Sequence, residues 1–96
     1  MSTVTVVAKV VANEGAVASV KTELLKLVEP TRNEKGCIEY RLHQDNDDQR
    51  VFIFFEIWED MDSLKDHTAS PHYTSYVAAV EGMIAGKAVH KMTCIA

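Results

Sequence analysis

Residues 50–59, "RVFIFFEIWE", place Val51, Ile53, Phe55 and Ile57 on one alternating face and Phe52, Phe54, Glu56 and Trp58 on the other. Successive side chains of a β-strand point to opposite sides, so a strand apolar on both needs cover on both. "TVTVVAKVVA", Thr3 to Ala12, has the same two-sided character in β-branched residues and stops at Asn13-Glu14-Gly15. "CIEYRLHQ", Cys37 to Gln44, differs: Ile38, Tyr40 and Leu42 alternate with Glu39, Arg41 and His43, as in a half-buried strand. "DNDD", Asp45 to Asp48, is a tight turn by composition. "KAVHKMTCIA", Lys87 to Ala96, reads as the last strand.

Between these strands the period changes. Val17, Val20, Leu24, Leu27 and Val28 form one stripe at three- and four-residue spacing, predicting a helix from Gly15. Pro30 is expected to kink that helix, which continues to a cap at Gly36. Asp60 or Asp62 starts a short helix running to about Thr68, and Ser70-Pro71 starts another with a capping Ser and Pro at the first position. Tyr73, Tyr76, Val77, Val80, Met83 and Ile84 make its stripe, with Gly82 and Gly86 around its end.

The order is β-α-β-β-α-β with the second helix split, an α+β, ferredoxin-like arrangement of a four-stranded antiparallel sheet. Helices cover one face of such a sheet. The two-sided strands therefore predict that the open face packs against a second copy, giving a homodimer. The second and fourth strands are the expected sheet edges, so Cys37 and Cys94 should not pair within one chain; both read as packed thiols.

The chain has 96 residues, read as one domain over 1–96, and a net charge of -4. Nucleic-acid binders cluster Lys and Arg on one face, so nucleic acid is not an expected partner. No apolar run approaches the ~20 residues that cross a bilayer, and Met1-Ser2-Thr3-Val4 lacks the basic start of a signal peptide. A cytoplasmic protein without membrane contact is expected. No GxGxxG, P-loop or nucleophile elbow occurs, and His67 and His72 lie five apart across a Pro-initiated break. With no Cys, Asp or Glu at diagnostic spacing, no metal site is expected.

His67, at the end of the short helix, has the chemistry to exchange a proton near neutral pH; it also suits the gap between two helix ends. His72 and Tyr73 occupy a helix N-terminal turn, where N–H groups favour an anion; alternatively His72 is solvated and Tyr73 is core. Glu56 shares a strand face with Phe54 and Trp58 and is expected to pair with Arg41 on the neighbouring strand. Trp58 reads either as core or as the wall of an aromatic pocket.

"VEPTRNEKGCIEYRLHQD" followed by "FFEIWEDMDSLKDHTASPHYTSYV" resembles the antibiotic biosynthesis monooxygenase family over nearly the whole chain. The carrying features are Glu29-Pro30-Thr31 to Gly36-Cys37, the Glu56-x-Trp58 pair and the series His67, Ser70-Pro71-His72-Tyr73. The resemblance implies a dimeric α+β barrel with a cavity between sheet and helices in each subunit. It implies oxidation of quinols or related hydroxylated aromatics by molecular oxygen, with no metal or flavin cofactor. On that footing His67 is the base, Tyr73 and His72 are donors to the oxyanion, and Phe54, Trp58 and Tyr76 are walls. Similar domains isomerise a small phosphorylated sugar or degrade haem; in the haem-degrading branch an iron-binding His stands where this chain has Val77. A module that only binds a small molecule is the non-enzymatic alternative.

Overall fold

A computed structural model describes residues 3–96. Its elements run β1 (Val4–Ala12), α1 (Val17–Arg32), β2 (Cys37–Gln44), β3 (Val51–Trp58), α2 (Met61–Thr68), α3 (Pro71–Ala79) and β4 (Ile84–Met92), with a 3-10 turn at Glu14–Ala16 leading into α1. The sheet order is β2-β3-β1-β4 and every neighbouring pair is antiparallel. This is the ferredoxin-like arrangement, with β2 and β4 at the edges as that strand order implies. Cys37 and Cys94 are both free. Cys37 is half-buried, while Cys94 lies exposed beyond the end of β4, which corrects its reading as a packed thiol.

Register decides which side chains face the helices. Val4, Val6, Ala8 and Val10 of β1 lie opposite Trp58, Glu56, Phe54 and Phe52 of β3, and all four of those β3 residues are buried. Val20, Leu24 and Leu27 of α1 close over them with Leu64 and Val80. The odd residues of β1 and β3 form the other face, where Val7, Val11, Val51, Ile53, Phe55 and Ile57 are only half-buried. That face carries no helix.

Several boundaries differ from the sequence pattern. α1 passes through Pro30 but stops at Arg32 rather than reaching Gly36. Gly36 instead forms a turn at φ +91°, and its carbonyl accepts the Glu59 N–H at 2.9 Å. In β2, an irregularity between Cys37 and Glu39 leaves Ile38 unpaired and 54% exposed, so it is not the core residue its alternation suggested. The strand read as 87–96 begins at Ile84 and ends at Met92. α3 ends at Ala79, so Ile84 and Gly86 belong to the strand rather than to the helix end. A register shift beside Ala12 places Val11 opposite Gly86 and Ala12 opposite Ile84.

Caps were readable. Asp60 accepts the Ser63 N–H at 2.8 Å to start α2, and the Ser70 hydroxyl accepts the Tyr73 N–H at 3.3 Å to start α3 around Pro71. The turn at Gly36 is the tightest joint: a Cβ there would overlap the Ser63 side chain, in a backbone region that disfavours L side chains. Gly36→Ala is therefore expected to cost about 2–3 kcal/mol from overpacking and positive-φ strain. Urea denaturation checks this, and a loss below about 0.5 kcal/mol would mean that the joint yields freely.

Candidate active site

The residues that meet at α2 and α3 come from three separate segments. Asp60 fixes the start of α2, which carries His67 in its last turn; Ser70 and Pro71 then redirect the chain so that His72 and Tyr73 return beside it. Gly36 turns the chain after α1 and brings Glu34 to the same place. The Glu34 carboxyl oxygen Oε2 accepts from His67 Nδ1 at 2.7 Å and from His72 Nε2 at 2.7 Å. One oxygen thus joins two histidines from two helices.

This arrangement selects the His67 tautomer. A carboxyl oxygen accepting at Nδ1 requires the proton on that nitrogen, which leaves Nε2 as the free base. Burial holds the His67 pKa below its usual range, against the opposing pull of Glu34 and with a small further decrease from His72. The neutral, proton-accepting form is therefore favoured. Aromatic rings fix its plane: Trp58 at 4.8 Å, Tyr73 at 5.1 Å and Tyr40 at 5.6 Å between centroids.

His67 opens onto a cavity of about 790 Å³. Its floor is Val6, Ala8 and Val10 of β1 with Val89 of β4, and its walls include Tyr40, Phe54, Leu64, Tyr73, Tyr76 and Val80. Tyr40 stacks on Phe54 at 4.7 Å with 27° between planes. A flat apolar body fits such a lining. Desolvation raises the Tyr40, Tyr73 and Tyr76 phenols above their ordinary value, Tyr76 to about 12, so at neutral pH they are O–H donors and not bases. Lys65, Lys87 and Lys91 stand exposed around the cavity, and none enters an ion pair among the described residues.

Glu56 is a buried carboxyl in the same wall. It is 4% exposed, and its Oε1 accepts the Trp58 Nε1–H at 2.8 Å. Its expected ion pair with Arg41 is absent: Tyr40 is the β2 residue opposite Glu56, while Arg41 falls on the open face and pairs with Glu39 at 3.5 Å. Desolvation, with the charge of Glu34 adding to it and the Trp58 bond opposing it, pushes the Glu56 pKa up to about 7. Thr31 Oγ1 is the only fully buried side-chain polar atom without a partner among the described residues. His67 Nε2 and Glu56 Oε2, which have no hydrogen-bond partner among the described residues, are not among such buried atoms and so keep accessible surface.

Of the residues expected at the site, His67, Tyr73, Phe54 and Tyr76 reach the cavity. Trp58 does not: it is 0% exposed and lies behind the wall, holding Glu56 by its N–H and His67 by its ring. His72 also stands outside the lining, with its Nε2 committed to Glu34. The sequence reading missed Glu34 and Tyr40. Glu34 bonds to partners 33 and 38 residues away, a pairing no local spacing reveals. Tyr40 was visible as an inward strand residue but not as the neighbour of Glu56.

Glu34, His67 and His72 also overturn the spacing argument that no carboxylate joins the histidines, since their ligand atoms all lie within 4.8 Å of one another. A tetrahedral zinc with bonds of about 2.0–2.1 Å sets its ligands about 3.3 Å apart. Contacts of 2.7 Å from both histidines to one oxygen are hydrogen bonds. Holding a metal would require Glu34 to release both. Where a haem ligand would stand, Val77 lines the cavity and offers no donor atom.

A family model described as antibiotic biosynthesis monooxygenase matches residues 3–79. The crystal structure of PA3566 from Pseudomonas aeruginosa superposes with a TM-score of 0.96 at 29% identity, covering 100% of this chain and 97% of that one. A crystal structure described as antibiotic biosynthesis monooxygenase superposes with a TM-score of 0.91 at 30% identity, covering 97% and 99%. Among curated relatives, the uncharacterized protein sll1783 of Synechocystis is 33% identical over 69 residues, 72% of this chain and 47% of that one. The chain spans about half the length of the curated relatives it matches.

Proposed function

The chain belongs to the antibiotic biosynthesis monooxygenase family, and from that premise we propose that its cavity oxidises quinols or related hydroxylated aromatics with molecular oxygen, without metal or flavin. The observation that carries this is His67: one nitrogen is tied to Glu34, and the other is free beside an apolar, aromatic-lined space. Neutral His67 takes a proton from the substrate hydroxyl through Nε2. The ionised ring then gives one electron to oxygen, the radical pair recombines at a ring carbon as a peroxide, and the peroxide takes up the proton held by His67 and loses water, leaving one oxygen atom on the ring. Tyr73 donates a hydrogen bond to the developing oxyanion. Phe54 and Tyr76 hold the ring, while Trp58 and His72 support the apparatus from behind. Oxygen uptake with a reduced naphthoquinone and chelator-treated protein tests the proposal; a rate equal to spontaneous oxidation defeats it.

Lys65, Lys87 and Lys91 favour a second reading, in which an anionic compound such as a small phosphorylated sugar occupies the cavity and is isomerised or only bound. Calorimetry separates the two. Preference for a sugar phosphate over a neutral quinone by tenfold or more favours the second.

We also propose that two copies meet through the helix-free sheet face, since Val7, Val11, Val51, Ile53, Phe55 and Ile57 remain half-buried there. Sedimentation at micromolar concentration is expected to give a dimer, and Phe55→Lys a monomer. A parent protein that sediments as a monomer removes this part of the proposal.

A further inference from the structure

Glu56 sits in the cavity wall with no part in the reaction described above. On the same sheet face its neighbours are Val6 of β1 and Tyr40 of β2, with Lys91 of β4 one strand beyond Val6. From the other layer, His67 of α2 and Tyr73 of α3 line the same cavity, and Glu34 contributes its charge from the turn before β2. No cation pairs with Glu56 among the described residues, and its single hydrogen bond, from Trp58, uses Oε1 alone. An ionised carboxyl buried in that way is unfavourable, whereas a neutral one needs only an acceptor for its proton. The cavity provides the place for that acceptor.

We propose that Glu56 is a second catalytic residue, a carboxylic acid whose Oε2–H donates to one substrate oxygen while His67 deprotonates another, so that the cavity selects flat rings bearing two oxygens. This deepens the function proposed above and rests on it. His67 Nε2 takes the hydroxyl proton, and where the second oxygen is a carbonyl conjugated to that hydroxyl, the O–H electron pair spreads through the ring to it. Glu56 donates a hydrogen bond there, and its proton follows if that oxygen becomes an enol. One proton enters the protein and at most one leaves, and this step consumes no oxidant. The arrangement sets an acid and a base around one cavity, their environments moving the two titrations in opposite senses.

The first test needs no turnover. With glutamate labelled by 13C at the carboxyl, one resonance of the free protein is expected to titrate near pH 7 and to be missing in Glu56→Gln. Adding 2-hydroxy-1,4-naphthoquinone should raise that midpoint by about half a unit or more, whereas naphthalene, which has no oxygen, should leave it in place. Every glutamate titrating below about pH 5.5 would overturn the proposal, as would equal responses to the two ligands. The second test uses activity: the parent rate should fall as pH rises through about 7, and Glu56→Gln, which donates a hydrogen bond but cannot ionise, should lose that fall. Identical pH profiles overturn the role of Glu56 while leaving oxygenation standing. If no quinol is oxidised, the function fails, and the two-ligand titration still decides whether Glu56 donates to a bound oxygen.

Discussion

His67→Ala is expected to lower oxygen consumption with a reduced naphthoquinone by about 100- to 10,000-fold, the usual contribution of a positioned general base. Alanine removes Nε2, the nitrogen left free by the Glu34 contact, and neither the phenols nor Glu56 replaces it well. The phenols of Tyr40, Tyr73 and Tyr76 are held protonated, and Glu56 has lost its preference for the charged form that a carboxylate normally shows at neutral pH. The pH dependence has a definite sign. Burial lowers the His67 pKa, so the active neutral form is present at pH 7 and disappears only as pH falls through a value below 6.5. The acid limb of the parent profile should therefore lie on the low side of an ordinary histidine and be absent from the residual activity of His67→Ala. Glu34→Gln tests how the base is held: an amide can turn its NH2 toward Nδ1 and favour the other tautomer, so a loss smaller than that of His67→Ala is expected. Full oxygen uptake by His67→Ala would remove His67 as the base.

Local pattern suffices for some features of this chain and fails for others. The two-sided character of β1 and β3, the Asp60 cap and the Ser70-Pro71 restart are properties of neighbouring residues, and the structure has each of them. The failures depend on contacts between distant segments. The end of α1 at Arg32 is such a case, because Gly36 is used to clear Ser63 rather than to cap the helix. Ile38 looked inward by alternation, yet one unpaired residue at the start of β2 turns it out. That register also gives Tyr40, not Arg41, to Glu56, and so leaves the buried carboxyl without the cation expected for it, and with none among the described residues. His67 could be singled out from its place before a helix break. Its partner could not, because only the fold brings Glu34 beneath two helices.

Trp58→Ala is expected to lose about 3–5 kcal/mol of stability, the range for emptying a large aromatic site in a core. Native domains have only about 5–15 kcal/mol in total, and a domain of this size loses about 4–8 °C in Tm per kcal/mol, so the shift should exceed about 12 °C. Two features place Trp58 at the upper end of that range. It is the largest fully buried side chain among the described residues, and its removal also takes the only hydrogen bond that the buried Glu56 carboxyl makes among them. Trp58→Phe separates packing from hydrogen bonding by keeping most of the ring volume while deleting the N–H. The Trp58 bond lowers the Glu56 pKa, so the Phe variant should titrate above about 7. A carboxyl with a folded pKa above its unfolded value binds more protons in the native state, so stability falls as pH rises from about 4.5 through about 7. In Trp58→Phe this decline should extend to higher pH, and in Glu56→Gln its contribution should vanish. Thermal melts across pH 4.5 to 8.5, read by circular dichroism because the chain has a single Trp, distinguish these outcomes. If Trp58→Phe and the parent lose stability over the same pH window, Trp58 acts through its volume alone and the Glu56 proton is set by burial without it.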